Sequence, residues 1–298
     1  MSKKKKLGLG QGILTACMAA YAIICLLPML LIVVVSFSSD ASINSKGFSF
    51  FPTEWSLKAW EYVGGYGKQL IVSYGVTIFI TVVGTVLGLL VMSMFAYTLS
   101  RKCFELRKHL AILMLITMLF SGGQLSTYLV ETGMYGMKDS IWALILPGIS
   151  AMHIIILRTY IQSNVPDALI ESAKIDGAGE YRTFWQIVFP MMKPSLASVG
   201  FMKAIAIWND WNKAYLYITS PNKTPLQLLL IRVEKNIDYL IQNQSDIPAS
   251  EYAEMMKTLP QESGRMAILL TALGPIMIAY PFFQKYFVKG MTMGAVKG

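Results

Sequence analysis

The stretch Glu171–Pro190, ESAKIDGAGEYRTFWQIVFP, is rich in charge, whereas most of the chain around it is apolar. Gly177 follows Asp176 at the point where a residue in the left-handed conformation would end a first short helix, and glycine adopts that conformation without a Cβ clash. Pro190 lacks a backbone N–H and is expected to end a second helix. The stretch therefore predicts two short helices joined at a glycine.

The flanking residues extend this feature to residues 164–194, which we call the elbow. Asn164 is a plausible N-cap for the first helix, and Pro166 suits its first turn. The acids and bases of the elbow nearly balance, whereas a helix that lies on anionic lipid favours Lys and Arg. The charges therefore favour docking to a protein, and a hairpin resting on the inner leaflet remains the alternative.

The composition is that of a membrane protein. The 298 residues are 54% hydrophobic and only 14% charged, with a mean hydropathy of +0.50, whereas soluble domains carry about 25% charged residues. The net charge is +9, but the basic residues lie between apolar runs and form no basic face with interleaved aromatics, so we expect no nucleic-acid partner. The three cysteines have no metal-ligand or paired spacing, so we expect no metal site.

Apolar runs long enough to cross a bilayer, about 20 residues each, divide the chain. They predict an all-α, polytopic membrane protein in which residues 1–298 form a single transmembrane domain. The six predicted spans are residues 13–37, 70–99, 110–130, 141–160, 195–218 and 266–287. Lys and Arg are roughly twice as dense on the side that holds the N-terminus, as the positive-inside rule requires of the cytoplasm. We therefore expect both termini and the elbow in the cytoplasm, and the loop 219–265 outside.

The order of residues in the elbow resembles a known motif. Glu-x-Ala-x-x-Asp-Gly-Ala, followed by Ile-x-x-Pro, is similar to the cytoplasmic "EAA" loop of permease subunits in binding-protein-dependent ABC importers. The C-terminal residues 280–298, YPFFQKYFVKGMTMGAVKG, resemble the tail of the carbohydrate-importing, maltose-permease-like branch of that family. The resemblance implies a type I ABC importer permease fold in a bacterial plasma membrane.

What the resemblance implies for the elbow is a coupling helix that fits a cleft on an ATPase subunit. Glu171 would contact a basic residue of that subunit, Gly177 would set the angle between the two helices, and the tail Lys297–Gly298 would reach the interface between two ATPase subunits. The expected coupling residues are Glu171, Ala173, Asp176, Gly177, Ala178, Tyr181 and Pro190.

The resemblance also implies the partners. They are a homologous permease that completes a heterodimer, two ATPase subunits that bind ATP and Mg²⁺, a solute-binding protein outside, a carbohydrate and the membrane lipid. The chain itself is expected to hold no cofactor and to be no enzyme. The segment GGYGKQ at Gly64–Gln69 does not match a phosphate loop, because Tyr62 and Gln69 stand where glycine and Ser or Thr are required.

The fifth predicted span carries charges that lipid does not tolerate. Lys203, Asp210 and Lys213 would each cost roughly 2.5–3.5 kcal/mol facing lipid at mid-depth, so we expect them to face protein or water. Aromatic rings beside amides suit sugars, which present C–H faces and hydroxyls, and an aromatic belt at the outer interface is the alternative. The predicted substrate-path residues are Trp208, Asn209, Asp210, Trp211, Asn212 and, from the third span, Gln124.

These features and the resemblance together predict the permease subunit of an ABC importer for a carbohydrate, and the resemblance implies an oligosaccharide and alternating access. One alternative is a stand-alone secondary transporter or channel for a polar solute, which predicts repeats, discontinuous helices and ion-coordinating acids in the spans. A membrane enzyme is a further alternative. It requires a clustered catalytic set, whereas the two histidines, His109 and His153, lie in different segments.

Overall fold

A computed structural model describes residues 9–146, 148–242, 248 and 260–295. The expectations for the basic N-terminal run and for the tail Lys297–Gly298 lie outside the described residues, as does most of the outer loop beyond residue 242. The described residues contain helices and no strand, with one isolated antiparallel bridge between Ser38 and Trp55. The predicted all-α class is confirmed.

The described helices follow one another along the chain. They are α1 (Leu9–Ser36), α2 (Asp40–Lys46), α3 (Lys58–Gly65), α4 (Gly67–Ser100), α5 (Arg107–Leu119), α6 (Gly123–Gly133), α7 (Trp142–Ile145), α8 (Ala151–Asn164), α9 (Asp167–Ile175), α10 (Glu180–Thr183), α11 (Phe189–Met191), α12 (Lys193–Asn209), α13 (Trp211–Tyr217), α14 (Leu226–Gln242) and α15 (Glu262–Ala295). A π-helical turn, Phe184–Val188, joins α10 to α11, and a 3₁₀ turn, Pro221–Lys223, precedes α14.

Three of the described helices are long and apolar enough to cross a membrane on length and composition: α1, α4 and the first part of α15. A fourth candidate is the pair α5 and α6, which is bent by 115°. The predicted span 141–160 covers α7 and most of α8, and the span 195–218 covers most of α12 and all of α13. The chain is thus a multi-pass membrane protein, and the number of six spans stays a prediction.

The chain divides into two compact units, and the single domain over residues 1–298 stays a prediction. The first unit comprises residues 1–67 and 232–274. In it, the Asp40 carboxylate accepts hydrogen bonds from the backbone N–H groups of Gln261 and Ser263, both at 3.0 Å. Asp40 therefore caps the start of α15, whose first N–H groups have no partner within the helix.

The second unit comprises residues 68–231 and 275–298 and holds the largest described core. Met92 of α4, Leu157 of α8 and Val188 beside α11 are completely buried there. Gly84 and Gly88 of α4 allow α12 to approach closely, as their spacing indicates. A Cβ atom on Gly84 would lie 3.1 Å from Cδ1 of Ile207.

The first helix of the elbow ends where the sequence predicts. Gly177 has φ +77°, the left-handed conformation that favours glycine. The Gly177 N–H donates to the Lys174 carbonyl at 3.0 Å, and the Ala178 N–H donates to the Ala173 carbonyl at 2.8 Å. These two bonds satisfy carbonyls at the end of α9 and form a Schellman motif.

The start of the elbow differs from the prediction. Asn164 is the last residue of α8 and not an N-cap, and its side-chain amide donates to the Tyr160 carbonyl at 3.0 Å. Pro166 has extended backbone angles and occupies the N-cap position of α9, which begins at Asp167. Proline restricts the residue before it to extended angles, which separates the two helices.

Pro190 does not end the second helix of the elbow, contrary to the prediction. The chain stays helical from α10 through the π-helical turn and α11, and only a turn at Met192 precedes α12. The Phe189 N–H donates to the Phe184 carbonyl, five residues back. Proline has no N–H for the i→i−4 bond of an α-helix and its ring crowds the carbonyl of residue i−4. The wider i→i+5 spacing just before Pro190 departs from that α-helical arrangement.

Candidate functional site

The elbow has a buried side and an exposed side. Ile170 and Ala173 of α9 are 2% and 7% exposed and pack inside the chain. The other side presents large apolar side chains beside the glycine turn, because Ile175 is 86% exposed and Tyr181 77% exposed. Exposed apolar side chains on a short charged segment are typical of a surface that binds a partner.

The structure distributes the predicted coupling residues over both sides. Glu171, Asp176, Gly177 and Tyr181 are exposed around the turn, and Ala178 is half-buried. Ala173 lies on the buried side. Pro190 is exposed and lies after the π-helical turn. The four exposed members around the turn, together with exposed Ile175, form what we call the elbow tip, defined by Glu171, Ile175, Asp176, Gly177 and Tyr181.

Ion pairs fasten the elbow to the end of α4. Glu180 accepts a short hydrogen bond from the Tyr97 hydroxyl and lies 3.5 Å from Nε of Arg101. Its other oxygen lies 2.9 Å from Nζ of Lys174 in α9. Burial alone would raise the pKa of Glu180. The hydrogen bonds from Tyr97 and Lys174, with the charge of Arg101, outweigh it and hold the pKa below its usual value.

A polar cavity of about 390 Å³ contains three of the six predicted substrate-path residues: Gln124, Asp210 and Asn212. Other polar groups complete its wall. The lining residues are Ser121, Gly123, Gln124, Thr127, Glu131, Asp210, Asn212, Lys213, Leu216 and Tyr217. Carboxylates, amides and hydroxyls around a cavity of this size suit a ligand with many hydroxyl groups.

A second cavity, of about 370 Å³, shares Asp210 and Lys213 with the first. Lys203 also lines it and is only 4% exposed, and its ammonium group donates to the carbonyl of Gly148. A Cβ atom on Gly148 would lie 2.6 Å from Nζ of Lys203, so glycine provides the space for the lysine. Lys203 therefore faces protein, as expected.

Asp210 interrupts the fifth predicted span. It separates α12 from α13 with ψ 87°, and its carboxylate accepts a hydrogen bond from the backbone N–H of Lys213 at 3.0 Å. The spacing of the two residues suggests an ion pair along a continuous helix, but the carboxylate caps α13 instead. Broken helices whose ends face a polar cavity are common at transporter binding sites.

The other three predicted path residues do not line the polar cavity. Trp208 is buried and lines a separate apolar cavity. The Asn209 side chain donates to the Ile205 carbonyl at 3.0 Å. Trp211 is 38% exposed and packs against Tyr215, with ring centroids 6.5 Å apart. The break at Asp210 places these aromatic rings in different surroundings, although a continuous helix would have aligned them.

Glu131 is a cavity residue that the sequence reasoning missed. It is only 8% exposed, and its Oε2 atom has no hydrogen-bond partner. It follows directly after the predicted third span, so it was counted with the loop. The spacing of Gln124, Thr127 and Glu131 places them on one face of a helix, and that spacing could have identified the third residue.

The described residues contain no group of three or more His, Cys, Asp or Glu side chains that could hold a metal ion. His153 lines the second cavity, and its buried Nδ1 has no hydrogen-bond partner. His153 is therefore a lining residue of the second cavity and belongs to no such metal-binding group.

Comparisons with known proteins identify the family of the chain. Residues 109–293 match the family model described as "Binding-protein-dependent transport system inner membrane component". Protein LplC of Bacillus subtilis is 40% identical over 92% of this chain and 90% of its own length. The polygalacturonan/rhamnogalacturonan transport system permease protein YtcP of the same organism is 37% identical over 93% of this chain and 94% of its own length.

A solved structure has the same fold. It is a crystal structure of a bacterial ABC transporter involved in the import of the acidic polysaccharide alginate. One of its chains superposes with a TM-score of 0.77 and 28% identity, covering 95% of this chain and all of that chain. The type I importer permease fold is thereby confirmed. The family match spans the elbow and the broken fifth span, and the chain belongs to the family of inner membrane components of binding-protein-dependent transport systems.

Proposed function

We propose that this chain is one half of a heterodimeric ABC importer channel for an oligosaccharide, and that its elbow tip docks on an ATPase subunit. The observation that carries the proposal is the left-handed turn at Gly177, with exposed Ile175 and Tyr181 on either side of it. A membrane protein that exposes such side chains on a charged segment gains by covering them with a partner. Glu171, also exposed, offers a carboxylate to a basic residue of that partner.

The polar cavity and its neighbour form the proposed substrate path. Asp210 and Lys213 line both, and together with Gln124 and Asn212 they offer donors and acceptors to sugar hydroxyls. The three remaining predicted path residues lie beside Asp210 but do not line the polar cavity, so we assign them no direct contact with the saccharide there: Trp208, Asn209 and Trp211. The names of the relatives support a carbohydrate, since YtcP is named for polygalacturonan and rhamnogalacturonan and the solved importer for alginate.

The remaining parts of the importer are partners. A homologous permease would complete the path, two ATPase subunits would bind ATP and Mg²⁺, and a solute-binding protein would deliver the saccharide from outside. The elbow, the N-terminus and the C-terminus would lie in the cytoplasm of a bacterial cell. Binding energy from nucleotide-driven closure of the ATPase subunits would then reorient the spans.

One observation favours the stand-alone transporter. The span broken at Asp210 is a feature of secondary transporters. The family match and the exposed elbow tip favour the importer, because a transporter that works alone has no use for an apolar docking surface beside Gly177. Transport by this chain and a permease partner in vesicles without any ATPase subunit would support the alternative.

The test compares two glycines of the elbow in the purified, reconstituted complex. Gly177→Ala places a Cβ on a left-handed backbone, which costs about 1–2 kcal/mol, although no atom lies within 4 Å of that Cβ. Gly179→Ala is the matched control, because Gly179 has φ −70° and equally free space. We expect Gly177→Ala to reduce co-purification of the ATPase subunits and Gly179→Ala to leave it unchanged.

The same complexes are assayed for ATP hydrolysis stimulated by a panel of saccharides. Oligogalacturonides, alginate oligosaccharides and malto-oligosaccharides, each presented with the solute-binding protein, separate acidic from neutral substrates. Stimulation by at least one of them in wild type, and its loss in Gly177→Ala, is the expected result. Equal ATPase retention and equal stimulation in both glycine variants would contradict the docking role of the elbow tip.

A further inference from the structure

One carboxylate connects three helices at the inner side of the elbow. Glu180 of α10 binds Tyr97 at the end of α4 and Lys174 of α9, and Arg101 immediately after α4 lies 3.5 Å away. We call these four residues the clasp. None of them belongs to the elbow tip, and apart from Glu180 and Lys174 they lie outside the elbow.

The clasp combines two partly exposed side chains with two shielded ones, since Lys174 is 42% and Glu180 46% exposed. Tyr97 is 6% exposed and the Arg101 side chain 13% exposed. Arg101 also lies over the Tyr97 ring, 5.8 Å from its centroid. The nearby pair of Lys102 and Asp167 is different, because its side chains are 78% and 60% exposed. Screening by water and salt weakens such an exposed pair.

We propose that Glu180 is a positioning residue that makes the elbow and the end of α4 move as one body, so that force applied to the elbow tip reaches α4. This proposal rests on the proposed function. For the elbow tip and the polar cavity to be coupled, one structural element must change position in response to both of them. α4 meets this need, since it carries Gly84 and Gly88 against α12, which leads to Asp210 and the polar cavity.

The charges of the clasp persist over a wide range of pH. The pKa of Glu180 lies below its usual value, and its hydrogen bond raises the pKa of Lys174. Both groups are therefore ionised around neutral pH, and the linkage does not depend on small changes in cytoplasmic pH.

The first test uses Glu180→Gln, which keeps the size of the side chain and removes its charge. The readout is the ratio of saccharide imported to ATP hydrolysed in proteoliposomes that contain the whole complex. Labelled oligogalacturonides, alginate oligosaccharides and malto-oligosaccharides are supplied together. We expect this ratio to fall ~5-fold or more, the scale of a lost coupling interaction. A folding defect would lower uptake and hydrolysis together and leave the ratio unchanged.

Asp167→Asn is the matched control, because it removes an acid of the same elbow that has one exposed partner. We expect its ratio of import to hydrolysis to equal that of wild type. The proposal is overturned if Glu180→Gln hydrolyses ATP at the wild-type rate and also imports as much saccharide per ATP as wild type. It is overturned as well if Asp167→Asn loses as much import per ATP as Glu180→Gln does.

The second test replaces the ionic link with a covalent one. The native Cys103 is exposed, and its sulfur lies 3.7 Å from Nζ of Lys174. In Lys174→Cys, with Cys17 and Cys25 replaced by serine, a short thiol-reactive cross-linker joins positions 103 and 174. We expect Lys174→Cys to lose import per ATP before cross-linking and to regain it afterwards. Further loss upon cross-linking would overturn the proposal, because it would show that the two segments must move apart.

Co-purification separates the failure of this proposal from that of the proposed function. The clasp predicts that Glu180→Gln retains its ATPase subunits, since the elbow tip is unchanged. If the Glu180→Gln complex retains its ATPase subunits and imports as much saccharide per ATP as wild type, only the proposed role of the clasp is overturned. A wild-type complex that holds no ATPase subunit overturns the proposed function, and the clasp with it.

Discussion

At the scale of the residue, two carboxylates in the polar cavity have different roles. The Asp210 carboxylate has a structural role, because it accepts a hydrogen bond from the backbone N–H of Lys213 and so caps α13. Glu131 is buried but keeps its Oε2 atom without a partner. A buried polar atom without a hydrogen bond is costly, and a sugar hydroxyl donating to it would remove that cost.

We therefore expect Glu131→Gln to reduce saccharide uptake about 10-fold, since a hydrogen bond to a charged group contributes about 1.5–3 kcal/mol. Uptake by proteoliposomes measures the effect, with unstimulated ATP hydrolysis as the reference for intact assembly. Glu105→Gln is the control, because Glu105 is an exposed acid outside the helices. Wild-type uptake of every saccharide in the panel would exclude Glu131 from the path.

At this scale, the sequence predicts a feature correctly when neighbouring residues alone produce it. The left-handed turn at Gly177 follows from neighbouring residues alone, and it is found as predicted. The capping role of Asp210 depends on where α12 stops, and the burial of Glu131 depends on packing against α13 residues such as Tyr217. The spacing of Glu131 from Gln124 and Thr127 indicates a shared helical face, but neither the burial of Glu131 nor the cap at Asp210 follows from neighbouring residues alone.

At the scale of the element, Asp139 ties two distant turns together. It has φ 52°, and its carboxylate accepts hydrogen bonds at 2.9 Å from the backbone N–H groups of Thr219 and Ser220, just after α13. The Lys223 ammonium lies 2.9 Å from its other oxygen. The bonds from Ser220, then those from Lys223 and Thr219, hold the pKa of Asp139 well below its usual range.

This lowered pKa fixes the sign of a pH effect. A carboxyl group whose pKa is depressed in the folded state stabilises that state above its unfolded pKa, about 3.9, and this contribution fades as the pH falls below that value. Asp139→Asn removes the charge and keeps a residue that tolerates positive φ. We expect its thermal midpoint in detergent to be lower than that of wild type at pH 7. The difference should narrow from pH 4 to pH 3, and a constant difference over that range would contradict the linkage.

Two helices show where element prediction fails. Pro190 was expected to end a helix, but a π-helical turn accommodates it and the chain stays helical toward α12. The fifth span was expected to be continuous, but it breaks at Asp210. In both cases the hydrophobic pattern indicated the helix correctly, whereas the hydrogen bonds at the π-helical turn and at the Asp210 cap are not visible in that pattern.

At the scale of the whole molecule, the proposed docking surface and the polar cavity are connected through packed helices. The elbow tip would meet the ATPase in the proposed importer, the clasp residues link the elbow to α4, and α4 packs on α12 near the cavity. Composition and the ordered elbow motif were enough to predict the all-α class and the family. The lining of the polar cavity could be predicted only in part, because Gln124 and Glu131 meet Asp210 and Asn212 through tertiary packing.

The most direct measurement is photo-cross-linking from the elbow tip, with a photoreactive amino acid in place of Ile175, which is 86% exposed. The same substitution at Glu105, an exposed residue outside the elbow, serves as the comparison. In membranes that import saccharide, the account predicts that position 175 captures an ATPase subunit and that position 105 captures it far less. Capture of phospholipid alone from position 175, while import proceeds at the wild-type rate, would contradict it.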